Sequence, residues 1–449
     1  MNFMMAFGWA SIMLLVGVFL RAKIAFLKNM LVPASVIAGI LGIVFVNIMN
    51  GTDVNIGTDM DMFTQIVNHL FTVSFISISL TSTSGTNRAK NIFAGAVGMG
   101  FVWCFLYALT PLLSFGIVYI LGKSVRMDGI YGMLIQFAFC QGPGQSAAYG
   151  MIFEQYGWEH AAMVAIAFSA IGFVVAFLVG IPAAKAGIKR GLAKNCLKMD
   201  NAVLKGYFNR EEQPETGIKD TTCNSNIETL TFHFAIIGLC YILATGIASV
   251  LSHLPGFFGA SMSSMMFMNG MYAAYIVKWI IKKLKLDFLM ENVLQNKITG
   301  WTADYLVVCA FMSVSIKMIR AWLMPILVVA VSMTIVTAGV CFYFGQRFGG
   351  SNDFERMVGM YGMCTGTVPS GIALVRIVDP EFRTSTGIEL GACNLVMLAS
   401  TPVYLLILAY ASGSLGINIV LFGLFLCAVV YLGFLKICGL WGKSSFSWR

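Results

Sequence analysis

Long apolar runs constrain what this chain can fold into more than any other feature of it. A helix that crosses a hydrocarbon layer needs roughly 20 consecutive apolar residues. Runs near that length lie at 4–20, 30–49, 64–81, 92–121, 161–184, 229–251, 257–281, 302–316, 322–345, 388–411 and 416–438. Of the 449 residues, 58% are hydrophobic and 11% charged, about half the charged share usual for a soluble protein. So few charges cannot cover a water-facing surface, whereas lipid needs no such cover. The expectation is an all-α integral membrane protein of about eleven transmembrane helices. The run from Phe3 to Leu20 has no basic segment before it and no small-residue cleavage site, so it reads as a span and not as a removable leader.

The net charge of +9 is a matter of topology. With the N-terminus outside, Lys123, Arg126, Lys317 and Arg320 fall in outer segments, and nearly all other Lys and Arg fall on the inner side, as the positive-inside rule requires. The C-terminus is then cytoplasmic, and no nucleic-acid partner is expected. The outer loop 50–65 carries Asp53, Asp59 and Asp61 and no basic residue. Most of the 11 cysteines sit singly in apolar runs, without a CxxC pair or a Cys/His cluster, and are expected to be packing residues. No HExxH, GxSxG or acid pair lies within a span, so no enzyme chemistry and no cofactor is expected.

A polar stretch at 187–228, with Glu211-Glu212-Gln213-Pro214-Glu215 at its middle, reads as a cytoplasmic connector. It separates a first membrane repeat, 1–186, from a second, 229–411, leaving 412–449 as an additional C-terminal helix and tail. The halves echo each other: Asn68 to Leu80 and Ala303 to Ile316 both end in an apolar-Ser-apolar-Ser-apolar pattern. Five spans per repeat would place the second repeat upside down. Each half also holds an apolar stretch broken by Gly, Pro, Gln, Thr and Ser, at 129–157 and 356–381. Inverted repeats with broken segments in corresponding places point to a secondary transporter.

The first broken segment contains Gln141-Gly142-Pro143-Gly144-Gln145-Ser146. Gly and Pro unwind the helix there, and Ser146 is a candidate cap for the helix that restarts. The second contains Thr365-Gly366-Thr367-Val368-Pro369-Ser370, followed by Arg376. A half-helix that begins at membrane depth turns unpaired N–H groups and a positive dipole end toward an anion. Oxygens of both tips are candidate Na⁺ ligands. Arg376 either grips a carboxylate or serves a structural end, by snorkelling or by pairing with Asp379 or Glu381. Ser79, Ser315 and Asn394 are secondary candidates, although most such hydroxyls bond to the preceding helical turn. Asp304 and Glu389 lie near span ends and are read as structural.

On these segments the chain resembles the bacterial sodium/glutamate symporter family. The resemblance covers roughly 3–410 and rests on Phe26 to Pro33, Ala147-Ala148-Tyr149, Phe153 to Gly157 and Gly366 to Ala373. It implies sodium-coupled symport of glutamate or a related small carboxylate in the bacterial inner membrane, an elevator-like alternating-access motion, and a homodimer. The chain departs from the family's Gly-Gly-His-Gly-Thr at Gln141 to Gln145, and has Leu374 and Arg376 where the family has Asn and Gln. With a new positive charge near the pocket, a substrate of more negative charge or without an ammonium group also fits. The alternatives to this reading are a carrier for another organic anion, a proton-coupled carrier, and a channel.

Overall fold

The computed structural model describes residues 2–447 except 26, 28–32, 53, 82–88, 194–219, 224, 255–258, 260–261, 264–265, 317–319, 351 and 380–383. The described residues form helices α1 (Asn2–Lys23), α2 (Ala34–Gly51), α3 (Met60–Leu80), α4 (Ala89–Leu121), α5 (Ile130–Phe139), α6 (Pro143–Gln155), α7 (Ala161–Lys189) and α8 (Thr229–Ser252). The second half continues with α9 (Met266–Lys283), α10 (Asn292–Met312), α11 (Leu323–Gly345), α12 (Asp353–Thr365), α13 (Val368–Val378), α14 (Thr386–Met397), α15 (Thr401–Ala411) and α16 (Ile417–Ile437). No strand occurs among them.

Nine spans among the described residues are long and apolar enough to cross a membrane, with α14 and α15 together forming one of them. Two more of the expected eleven, α9 and α10, have the length but are more polar, carrying Lys278, Lys282 and Lys283 or Gln295, Lys297 and Asp304. The expected broken segments are broken: α5 and α6 occupy 129–157, and α12 and α13 occupy 356–381. Most of the connector at 187–228 lies outside the described residues.

The helices sort into two packed groups. In the first, α3 lies against α10, α1 against α2, α8 against α9, α2 against α10, and α9 against α3. In the second, α4 carries α16, α14 and α11; α7 backs α5, α6, α12 and α13; and α12 packs along α13. The groups meet where α3 touches α6 and where α10 touches α7. Outward faces are apolar, as in Ile242 of α8, Ile335 of α11 and Phe422 of α16, each exposed by more than half. Faces of this kind are stable against lipid and not against water.

Glycines set the closest approaches. A Cβ on Gly39 of α2 would lie 2.5 Å from the ring of Phe311 on α10, and one on Gly270 of α9 would lie 2.9 Å from Ile76 on α3. Eight residues beyond each of these glycines stands a polar side chain that caps the facing helix. Asn47 Nδ2 donates to the Val314 carbonyl at 2.9 Å while its Oδ1 accepts from the Ile316 amide at 2.8 Å. Lys278 Nζ donates to the carbonyls of Thr81 at 2.6 Å and Ser79 at 3.3 Å. These contacts satisfy carbonyls that a helix end leaves open.

A buried ion cluster pins α12 to α14. Arg356 donates to both carboxylate oxygens of Glu389, each at 2.7 Å, and its third nitrogen reaches Asp353 at 3.1 Å. Ser385 Oγ adds a 2.6 Å bond to Glu389, and the amides of Gly349 and Gly350 donate to Asp353. Gly95 of α4 leaves room for this carboxylate, because a Cβ there would lie 2.3 Å from Glu389 Oε2. The fork-to-fork geometry is the strong form of a buried pair.

Candidate functional site

Both broken segments turn through a residue with positive φ and extended ψ. Gly142 precedes α6 at φ 81°, ψ −169°, and Thr367 precedes α13 at φ 121°, ψ 170°. Glycine adopts such a conformation freely, whereas a β-branched residue is strained by about 1–3 kcal/mol. Pro143 then opens α6 at its first position and Pro369 opens α13 at its second, where a missing N–H costs little.

The two tips abut. A Cβ on Gly142 would lie 2.0 Å from Thr367 Cγ2. Cys140 Sγ donates to the Cys364 carbonyl at 3.9 Å, linking the two preceding arms. Trp103 Nε1 on α4 holds the Cys140 carbonyl at 2.8 Å, and the stacked ring of Tyr107 donates its hydroxyl to Gln141 Oε1 at 2.9 Å. Behind them, Gly172 of α7 admits the Thr365 carbonyl, which a Cβ would meet at 2.4 Å.

The tips form one wall of a partly open cavity between the two helix groups, whose empty space with its open mouth included is about 1030 Å³. Gln141, Gln145, Thr367 and Val368 line it from the tips, with Cys140 and Tyr149 beside them. Facing them are Phe71, Ser74, Phe75 and Ile78 of α3, Phe267, Met268 and Met271 of α9, and Ala303, Leu306 and Val307 of α10. Thr401 and Tyr404 of α15 close a further side. Phe71 seats directly on the first tip: a Cβ on Gly144 would lie 1.9 Å from its Cγ. A second, smaller space of about 370 Å³ shares Phe173, Ala303 and Val307 with the first and is lined also by Ser35, Asp304 and Ser370.

The remaining candidates fall into place around this cavity. Ser146 does not cap a restarting helix, because α6 already begins at Pro143; its hydroxyl instead donates back to the Gly142 carbonyl at 2.9 Å. Thr365 likewise bonds to the preceding turn, at the Tyr361 carbonyl, 2.7 Å away. Gly366 is buried against Ser370 and Ala176. Arg376 stands exposed in the last turn of α13 and is not part of the cavity wall. Ser79 is buried near the C-terminal end of α3, its Oγ without a hydrogen-bond partner, and Ser315 follows the end of α10; neither lines the cavity. The side chains of Asn394 and Pro369 lie outside the described residues, as does Glu381.

Several wall residues escape a reading of the two motifs alone. Phe71, Ser74, Phe75 and Ile78 recur at helical spacing, as do Ala303, Leu306 and Val307, and as do Thr401 and Tyr404. That period marks one face of a helix. It does not say whether the face meets a neighbour, lipid or a cavity.

A family model described as Sodium/glutamate symporter matches residues 1–384. The sodium/glutamate symporter of Escherichia coli (strain K12) is 24% identical over 388 residues, covering 84% of this chain and 88% of that protein. The proteins of that name from Shigella flexneri and Haemophilus influenzae are also 24% identical, over 388 and 393 residues, with the same coverage.

Proposed function

The chain belongs to the sodium/glutamate symporter family, and from that premise we propose that it is a sodium-coupled symporter of glutamate or a related small carboxylate. The observation that carries this reading is the meeting of two half-helix N-termini at one cavity between two separately packed helix groups. N–H groups and the positive dipole ends of α6 and α13 stabilise a carboxylate without a fixed charge. A site built this way binds an anion and also lets it go. Sodium takes oxygens of the two tips, at Gly142 to Ser146 and Thr365 to Ser370, and the sodium and the anion neutralise each other there.

Alternating access follows from the grouping. The helices bearing the tips slide as a body against the group of α1 to α3 and α8 to α10, elevator fashion, carrying the solute past Phe71 and Phe75. Reciprocal packing supports reading 1–186 and 229–411 as inverted repeats: α2 on α10 mirrors α9 on α3, and Asn47 mirrors Lys278. Two such repeats supply two related conformations that open to opposite sides. The protein acts as a homodimer in the bacterial inner membrane, N-terminus outside and C-terminus cytoplasmic.

Purified protein in liposomes tests the reading with labelled glutamate and a small panel of other amino acids and carboxylates. Uptake of at least one of them is expected with an inward sodium gradient and is expected to vanish when the gradient is dissipated. Uptake of equal size under a proton gradient alone would overturn the sodium coupling.

A further inference from the structure

We propose that the solute this cavity selects is a zwitterionic α-amino acid with an apolar side chain, and not a dicarboxylate. The proposal rests on the reading of the cavity as the substrate site and narrows it.

The lining has two distinct parts. Among the described residues that form it, none is Asp, Glu, Lys, Arg or His. The side contributed by α3 and α9 is aromatic and thioether, and Phe71 reaches from it to the first tip. Phe71, Phe75 and Phe267 form a triangle with ring centroids 4.7, 5.2 and 5.5 Å apart, flanked by Met268 and Met271. Rings in such a triangle present apolar surface, and methionine adapts to side chains of varied shape. A second carboxylate placed there would be stripped of water with no cationic side chain among the described lining residues to receive it. An aliphatic, thioether or aromatic side chain is the natural occupant.

The tip side suits the other end of an amino acid. The N-termini of α6 and α13, helices of 13 and 11 residues, offer N–H groups to a single carboxylate. An independent observation comes from Gln145. Its side chain lines the cavity and the residue is only 2% exposed, yet its Oε1 is buried without a hydrogen-bond partner. A buried acceptor left open costs free energy until a donor arrives. An α-ammonium group beside a carboxylate held at the tips is such a donor. The bound amino acid then brings no net charge of its own, and the only charge carried in with it is that of the sodium.

Thermal stabilisation of the purified full-length protein in detergent and sodium chloride tests this without depending on transport. L-Leucine, L-methionine and L-phenylalanine are expected to raise the melting temperature at concentrations at least tenfold below those needed of L-glutamate. 4-Methylpentanoate, which is leucine without its ammonium, is expected to need at least tenfold more than leucine. Gln145→Leu is expected to erase that difference, and the wild-type comparison stands even if the variant does not fold. Glutamate stabilising at lower concentration than leucine would overturn the proposal, as would leucine and 4-methylpentanoate acting alike, or no stabilisation by any of these amino acids. If leucine binds but liposomes show no sodium-driven uptake, the proposal holds and the symport reading fails. If glutamate alone binds and is driven by sodium, the reverse is true.

Discussion

Gly142 and Thr367 set the backbone of the two tips, and each is constrained in its own way. Gly142 combines φ 81° with a neighbour 2.0 Å from any added Cβ. Gly142→Val therefore forces the tips apart, and a folded variant with uptake reduced at least tenfold is expected in liposome assays. Wild-type uptake by it would remove the tips from the transport path. Arg356 is constrained by charge. Its removal leaves Glu389 and Asp353 buried without a cation, a loss of about 3–5 kcal/mol. Arg356→Leu should accordingly melt well below wild type, whereas replacing Arg356, Glu389 and Asp353 together by apolar residues should recover much of the difference. The motif residues were legible because Gly and Pro in an apolar run have few other uses. Arg356 and Glu389 were not legible as a pair. They lie 33 positions apart, and only the fold brings them together. Arg376 is a different case: a charge after a motif reads either as a ligand or as a structural group, and the fold places it exposed in the last turn of a short helix.

Apolar length fixed most helices at the scale of elements, to within a few residues. The exception is instructive. An apolar reading starts the tenth helix at 302, whereas α10 begins at Asn292. Its first turns carry Gln295, Thr299 and Thr302, which are polar but buried. Ser77 of α3 donates to Gln295 Oε1 at 2.6 Å, so this part of the helix is held by hydrogen bonds across the α3–α10 contact and not by hydropathy. Hydropathy alone misses a polar helix that pairs with another inside the bundle. The caps from Asn47 and Lys278 act at the same scale. Asn47→Ala and Lys278→Ala are each expected to cost about 1 kcal/mol through unpaired carbonyls, and the two losses should add because the sites are separate. Melting curves of the single and double variants check this; a double variant no less stable than either single one would contradict it.

The division into two helix groups predicts, for the whole molecule, that they move relative to each other during transport. Asn68 on α3 and Met151 on α6 touch across the two groups outside the cavity wall. Cys196, Cys223, Cys427 and Cys438 would first be replaced by Ser, because Cys223 and Cys438 are exposed and Cys427 partly so. In that background, a bifunctional thiol reagent joining Asn68→Cys to Met151→Cys is expected to stop uptake, and a reagent that labels either one singly should not. Continued uptake by the cross-linked protein would rule out sliding of one group past the other. The two-group arrangement was only half legible. Internal echoes in the sequence pointed to a division into halves, but which helices would associate depended on glycines such as Gly39 and Gly270, whose meaning appears only with Phe311 and Ile76 against them.

Tracer sodium influx into liposomes, with and without the solute that stabilises the protein, tests most directly whether the two tips couple an ion to a solute. Wild-type protein should admit sodium only when that solute is supplied outside, and Gly142→Val should admit neither. Sodium influx that is equally fast without solute would contradict coupling and point to a channel instead.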